Sequence, residues 1–301
     1  MRKKGNYGFK ILFLAVLCFI GMIVVGQEAQ ASSRMTTLKA GQNYQTALTG
    51  SKKRTIRYTT NKASHFQGMT LYIDGKRQLS FGARREAFSW DVKLCQVSSS
   101  RTLIYIADES FNSYTQGITF YEYKNNKFRK LFDLGELTRD TSYTFGRDKP
   151  SKAARKKSVA LNGWARGDLV RVGKNTVTIN WRDDTSTTGW FSTNITYRVK
   201  GNKATRVGNS YKPIFSKYEM GVPTKTLKKL TTNRAFQTYT KAGGTKRAFR
   251  VKRNQKVQIV AMRAINGQRY IQIRNSKGKT GWYRDTATSG GGWFKEAIFA
   301  G

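Results

Sequence analysis

Met69-Thr70-Leu71-Tyr72-Ile73-Asp74-Gly75 decides the fold class: a short run of β-branched, aromatic and apolar residues closed by a tight-turn dipeptide. Asp-Gly after such a run is a hairpin signal, because both residues tolerate the positive φ that a two-residue turn of the right twist requires. The pattern recurs in both directions along the chain. Thr55-Ile56-Arg57-Tyr58-Thr59 and Thr102-Leu103-Ile104-Tyr105-Ile106 are runs of the same kind, and Asn125-Asn126 follows Lys124 as another tight turn. Helical periodicity is hard to find after residue 34, and Gly, Asn, Asp and Ser clusters separate the strands. The expectation is a mostly antiparallel, all-β protein.

One internal echo accompanies these strands. Tyr121-Glu122-Tyr123-Lys124-Asn125-Asn126-Lys127 returns 76 residues later as Tyr197-Arg198-Val199-Lys200-Gly201-Asn202-Lys203. Duplicated β-units, as in propeller-like domains, and two ordinary hairpins with similar turn chemistry both account for it. Two copies are too few to close a propeller. The stretch 91–134 also resembles single β-units of Gram-positive secreted proteins, a resemblance that carries no activity. Between the copies, residues 146–157 hold six basic residues against one acid, which reads as a solvated loop or an anchoring patch.

Composition excludes several classes of protein. The 301 residues hold 56 Lys and Arg against 17 Asp and Glu, a net charge of +39, with enough apolar and aromatic residues to build cores. A single histidine, His65, excludes a multi-histidine metal site, and two cysteines exclude a disulfide scaffold. No cofactor is expected. Residues 1–31 read as a secretory signal peptide, with the alternative of an uncleaved anchor. Arg2, Lys3, Lys4 and Lys10 precede an apolar run of about 15 residues, and Ala29-Gln30-Ala31 offers the small-x-small cleavage pattern. Leu17 before Cys18 argues against a lipoprotein. Cleavage before Ser32 leaves Cys95 alone, inside the strand Asp91-Val92-Lys93-Leu94-Cys95-Gln96-Val97, as a small packing residue without an activating partner.

A domain boundary is expected near 213–226, where two of the three prolines lie, giving a β-rich domain of unassigned role over 34–222 and a basic one over 227–301. From residue 224 onward there are 18 lysines and arginines and only two acids, Asp285 and Glu296. Strands are expected at 235–239, 248–251, 256–262, 269–274, 280–283 and 293–298, separated by Gly243-Gly244, Asn266-Gly267 and Ser276-Lys277-Gly278.

This last quarter resembles the bacterial SH3-like family, including the GW-type modules of Gram-positive surface proteins. The resemblance rests on Phe249-Arg250-Val251-Lys252-Arg253-Asn254-Gln255-Lys256-Val257, on Asn266-Gly267-Gln268-Arg269-Tyr270-Ile271-Gln272-Ile273, and on Gly278-Lys279-Thr280-Gly281-Trp282-Tyr283. It implies a small SH3-like barrel that binds anionic wall polymers or wall peptides, or docks onto another surface protein. Ser289-Gly290-Gly291-Gly292-Trp293 departs from the family pattern and implies a rearranged final strand. The preceding domain is expected to be a sandwich or partial propeller-like.

The ligand-contacting residues expected on this reading are the aromatics Tyr270, Trp282, Tyr283 and Trp293 with the cations Arg250, Arg253, Arg269 and Lys279. Trp282 also reads as a core residue under a glycine-tightened turn. The functional expectation is a secreted, wall-associated binding protein without catalysis, with no physiological nucleic-acid partner and an open oligomeric state. The alternative is a wall hydrolase with a carboxylate-based catalytic N-terminal domain. Glu86/Asp91, Asp108/Glu109 and Asp183/Asp184 keep it open, since glycoside hydrolysis needs only two carboxyl groups. Strand-end turn chemistry explains the latter two pairs equally well.

Overall fold

The computed structural model describes residues 34–63, 65–82, 87–109, 115–134, 166–185, 187–208, 210–214, 229–265, 268–286 and 292–296. Residues 1–33, the basic stretch 146–157, Asn266-Gly267 and most of 213–226 lie outside the described residues. Within them the protein is all-β and every strand pairing is antiparallel.

The strands form four sheets, three of which contain the same four-stranded meander. The first is β2 (Tyr44–Ala47), β3 (Lys53–Ala63), β4 (Phe66–Ile73) and β5 (Lys76–Phe81), in that order. The middle sheet is β6 (Ser89–Ser98), β7 (Arg101–Glu109), β8 (Thr115–Lys124) and β9 (Lys127–Asp133), with β1 (Met35–Thr37) added beside β6. The third is β10 (Arg166–Gly173), β11 (Thr176–Thr185), β12 (Gly189–Lys200) and β13 (Lys203–Arg206).

The sequence echo has a structural counterpart. Asn125-Asn126 joins β8 to β9 and Gly201-Asn202 joins β12 to β13, the same hairpin of consecutive meanders. Asp74-Gly75 joins β4 to β5 at the corresponding place, and each turn is followed by a lysine: Lys76, Lys127 and Lys203. Asp74, Gly75, Asn125 and Asn126 all have positive φ, between 50° and 74°, as the two-residue turn demands.

The two faces of the middle sheet belong to different cores. Trp90, Val92, Leu94, Ile104, Ile106 and Tyr121 pack with Ile56, Met69, Leu71 and Ile73 of the first sheet. Cys95, Val97, Leu103, Tyr105, Ala107, Ile118 and Phe120 pack with Val177, Ile179, Ile195 and Tyr197 of the third. Residues of β7 therefore alternate between two cores rather than between core and water. That is why its run reads as continuously apolar, a pattern usual for strands covered on both sides. Cys95 belongs to the second of these cores and is a buried free thiol. It interrupts the apolar alternation of the sequence because β6, like β7, is buried on both sides, with Leu94 in one core and Cys95 in the other.

Hydrogen bonds at strand ends lock the layers together. Trp90 Nε1 donates to the Gln67 carbonyl at 2.9 Å, Thr102 N to the Leu48 carbonyl at 2.8 Å, and Asn175 N to the Val97 carbonyl at 2.8 Å. Glu122, buried on β8, accepts from Arg101 Nε at 2.7 Å and Arg129 Nη2 at 2.6 Å. Arg101 also donates through Nη2 to the Gly201 carbonyl at 2.8 Å, so this cluster ties the middle sheet to the β12–β13 turn.

The fourth sheet contains β14 (Ser210–Tyr211), β16 (Leu230–Thr231), β17 (Phe236–Tyr239), β18 (Arg247–Val251), β19 (Lys256–Ile265), β20 (Gln268–Asn275) and β21 (Thr280–Arg284). Its order is β14-β19-β20-β21-β17-β18, with β16 also on β19. Among the described residues no pairing joins β18 to β14, β16 or β19, so the sheet does not close into a barrel. Of the strand expected at 293–298, residues 297 and 298 lie outside the described residues, and Phe294 forms a single bridge with Thr232. Trp293 and Phe294 turn inward there and fill the core. Around residues 210–214 the chain touches both the third and the fourth sheet. Tyr211 in β14 pairs with β19, whereas Pro213–Ile214, forming β15, pairs back onto β12 of the third sheet.

Burial pushes the Glu122 carboxyl pKa up, but the hydrogen bonds and charges of Arg129 and Arg101 outweigh it and leave the pKa below the ordinary value of 4.5. A depressed folded pKa contributes stability that is complete above the unfolded value and is lost as pH falls through the folded one. Urea unfolding between pH 6 and pH 3 (about the carboxylate range) is expected to show that loss, and Glu122→Gln to flatten it. Burial likewise pushes the Cys95 thiol up. Labelling of the native protein by a thiol reagent is therefore expected to be slow, becoming fast only in denaturant.

Candidate functional site

The fourth sheet has an inner and an outer side, and the residues expected to bind ligand divide between them. Pairing places Ile271 opposite Tyr283 and Ile273 opposite Gly281 on the buried side. The alternate residues Tyr270, Gln272 and Arg274 of β20, and Trp282 and Arg284 of β21, then face outward. Tyr270 sits in a cross-strand row between Arg263 of β19 and Arg284 of β21. In the next row Gln272 lies opposite Trp282, Trp282 opposite Tyr239, and Tyr239 opposite Arg247. Arg250, opposite Gln237, carries the outer side to the edge strand β18.

This side is an aromatic strip bordered by guanidinium groups. Tyr270 is half-buried, whereas Arg247, Arg250, Arg274 and Arg284 are exposed. Arg284 Nε donates to Gln268 Oε1 at 2.7 Å. The β17–β18 loop comes up to the tyrosine: a Cβ on Gly243 would lie 3.4 Å from the Tyr270 hydroxyl. Trp282 belongs to the same side but is only 8 % exposed, sunk between its neighbours and outside the apolar core cluster. Gly281 precedes it because the strand runs tight against β17: a Cβ there would meet Thr238 Oγ1 at 2.4 Å. Arg253 and Lys279 are exposed in turns, and Lys279 donates its backbone N–H to Asn275 Oδ1 at 3.0 Å.

Tyr283, Trp293 and Arg269 are on the inner side, where burial makes them framework rather than contact surface. Tyr283 and Trp293 stack at 5.0 Å and 22°, and Phe236 packs 5.0 Å and 4.8 Å from them. Arg269 pairs with Asp285 through Nε at 2.8 Å, both side chains nearly inaccessible. Thr187, from the β11–β12 connection, donates to Asp285 Oδ1 at 2.7 Å and shares a 3.1 Å hydrogen bond with the Tyr283 hydroxyl. The threonine proton is committed to the carboxylate, so Tyr283 is the donor in the second bond. Burial first, and then the Asp285 charge, push the Tyr283 pKa well up, which keeps that proton in place. Trp293 N donates to the Thr187 carbonyl at 2.9 Å, completing the dock of the third sheet onto the fourth.

The two acids of this region are thus engaged within the fold, Asp285 buried and Glu296 half-buried. Asp285 serves Arg269 and Thr187, and Glu296 accepts from Thr231 N at 2.6 Å and Thr231 Oγ1 at 2.7 Å. The outward arginines keep their charge uncompensated by these carboxylates. Arg263 and Arg284, which complete the Tyr270 row, were missed from sequence alone. Counting back from the Ser276-Lys277-Gly278 turn pairs Arg274 with Thr280 and hence Tyr270 with Arg284, so that part was recoverable.

Of the candidate carboxylate pairs, Glu86 lies outside the described residues, as do the side chains of Glu109, Asp183 and Asp184. Asp91 is ion-paired with Lys93, and Asp108 is buried. No family model, curated protein or solved structure matches this chain.

Breaking a buried ion pair from one side strands the other charge at a cost of about 3–5 kcal/mol. Asp285→Asn is expected to destabilise the protein on that order in denaturant unfolding. Thr187→Val, which removes one hydroxyl, is expected to cost about 1–2 kcal/mol.

Proposed function

We propose that this is a secreted, strongly basic cell-surface protein that holds anionic cell-wall polymer on the outer side of its fourth sheet, without catalysis. The observation that carries the reading is the Arg263–Tyr270–Arg284 row on a side whose nearby acids, Asp285 and Glu296, are engaged inside the protein. Uncompensated cations attract a phosphate- or carboxylate-bearing chain, each exposed Lys or Arg contributing on the order of 1 kcal/mol at an anionic surface. The half-buried Tyr270 ring adds an apolar seat between the charges. On this reading the fourth sheet is an opened relative of the SH3-like modules, with its last strand replaced by inward-turned aromatics. The three stacked meanders are blade-like units that present it. Export through the signal peptide places the protein at the wall; a wall peptide or another surface protein is the other ligand such a module takes.

Binding of the protein to purified Gram-positive walls tests this. Retention is expected to fall steeply between low and moderate salt and to fall again when anionic polymers are stripped from the walls. Arg263→Gln with Arg284→Gln is expected to weaken it about tenfold, as two lost contacts of about 0.7 kcal/mol each imply. Tyr283→Ala and Trp293→Ala are expected to lower stability instead. Retention that ignores both salt and stripping would overturn the polymer reading in favour of a wall peptide, and sustained release of soluble wall fragments would overturn the absence of catalysis.

A further inference from the structure

The Arg–Tyr–Arg row of the fourth sheet has a counterpart at the other end of the molecule. In the first sheet Ile56, Tyr58, Met69, Leu71 and Ile73 point into the core shared with the middle sheet. The alternate residues of β3 and β4 therefore face outward, and among the described residues no other sheet covers them. Across that side Arg57 of β3 lies opposite Tyr72 of β4, and Tyr72 opposite Arg77 of β5. The adjacent row is Thr59, Thr70 and Ser80, with Thr70 and Ser80 hydroxyls 3.1 Å apart. A groove of about 660 Å³ runs here, lined by Asn43, Thr55, Arg57, Thr59, Tyr72 and the Asp74-Gly75 turn.

Both arginines are exposed, and neither guanidinium makes an ion pair or hydrogen bond with the described residues. The one acid of the groove does not compensate them. Asp74 accepts from Thr55 N at 2.9 Å and from Arg54 Nη1 at 2.8 Å, so its charge is met from the inner side. What remains is a ring flanked by two free cations, two inter-strand spacings or about 10 Å apart, in a setting of hydroxyls and amides.

We propose that this side of the first sheet binds an extended acidic glycan, with a sugar ring on Tyr72 and the carboxylates on either side of it on Arg57 and Arg77. A sugar needs an aromatic seat for its apolar face and hydrogen-bonding groups at its edge, and Tyr72 with Thr55, Thr59 and Asn43 supplies both. The spacing of the cations selects a polymer with one carboxylate per disaccharide. A polyol phosphate leaves no neutral ring between two charges, and a polynucleotide carries a phosphate at every nucleotide, more closely than these two cations are spaced. The inference is independent of the fourth-sheet reading, since the two rows lie on different sheets and share no residue.

Immobilised hyaluronan, one carboxylate per disaccharide, is the probe, with the full chain in about 0.5 M salt so that diffuse attraction is screened to within a few ångströms. Saturable binding is expected, with Arg57→Gln plus Arg77→Gln weakening it about tenfold and Tyr72→Thr weakening it comparably, while thermal unfolding is unchanged. Tyr72→Thr keeps strand propensity, so a folding defect does not mimic the loss. Arg263→Gln plus Arg284→Gln is expected to weaken hyaluronan binding less than Arg57→Gln plus Arg77→Gln does, and a stronger effect of the fourth-sheet pair would overturn the assignment to the first sheet. Absence of saturable binding, equal binding of carboxyl-reduced hyaluronan, binding indifferent to Arg57 and Arg77, or displacement by single-stranded polyuridylate with the same variant sensitivity would each overturn the proposal.

Discussion

The middle sheet has no water-facing side, and most of the architecture follows from that. β7 contributes Leu103, Tyr105 and Ala107 to one core and Ile104 and Ile106 to the other, so both neighbouring sheets must be present for it to be buried. The flanking sheets are then each committed to it by one face. Removing water from a side chain stabilises by about 25 cal/mol for each Å² of apolar surface, and the middle sheet gains on both sides. The turn contacts that cross between layers, such as Arg101 with Glu122 and the Gly201 carbonyl, hold this stack in register at one end.

A second constraint is the shortage of acids. In the described structure the carboxylates go to structural cations and backbone donors: Asp74 to Arg54, Glu122 to Arg101 and Arg129, Asp285 to Arg269, Glu296 to Thr231. Each of these is at a place where layers or strand ends meet. Cations beyond that number have no acidic partner to find, and they populate the outward sides of the first and fourth sheets. The cross-strand rows Arg57–Tyr72–Arg77 and Arg263–Tyr270–Arg284 are the ordered part of that surplus.

Local chemistry was legible in the sequence, and pairing over distance was not. Strands and two-residue turns are written in short stretches, so the all-β class, β17–β21 and the Asn125-Asn126 turn could be read directly. The role of a given aromatic could not. Tyr270, Trp282 and Tyr283 lie within fourteen positions of each other, yet one lines the outer side, one sinks into it and one fills the core, because alternation along a strand separates neighbours. Arg269 looked like a free cation because Asp285, its partner, lies just past the end of the next strand, β21, and Thr187 enters from another sheet. The return of Pro213–Ile214 to β12 after Tyr211 has joined β19 is likewise a tertiary choice with no local mark.

The engagement of the acids within the fold also governs how copies of the protein meet one another. With a net charge of +39, and with carboxylates drawn into contacts between strands and layers, approaching molecules face cation to cation over much of their surfaces. Repulsion of that kind acts over about 10 Å at 0.1 M salt. A colloid so charged resists self-association and precipitation in dilute buffer, and it packs sparsely on any support until a polyanion supplies the missing counter-charge. Crowding on a coated surface is then limited by electrostatics before it is limited by molecular size.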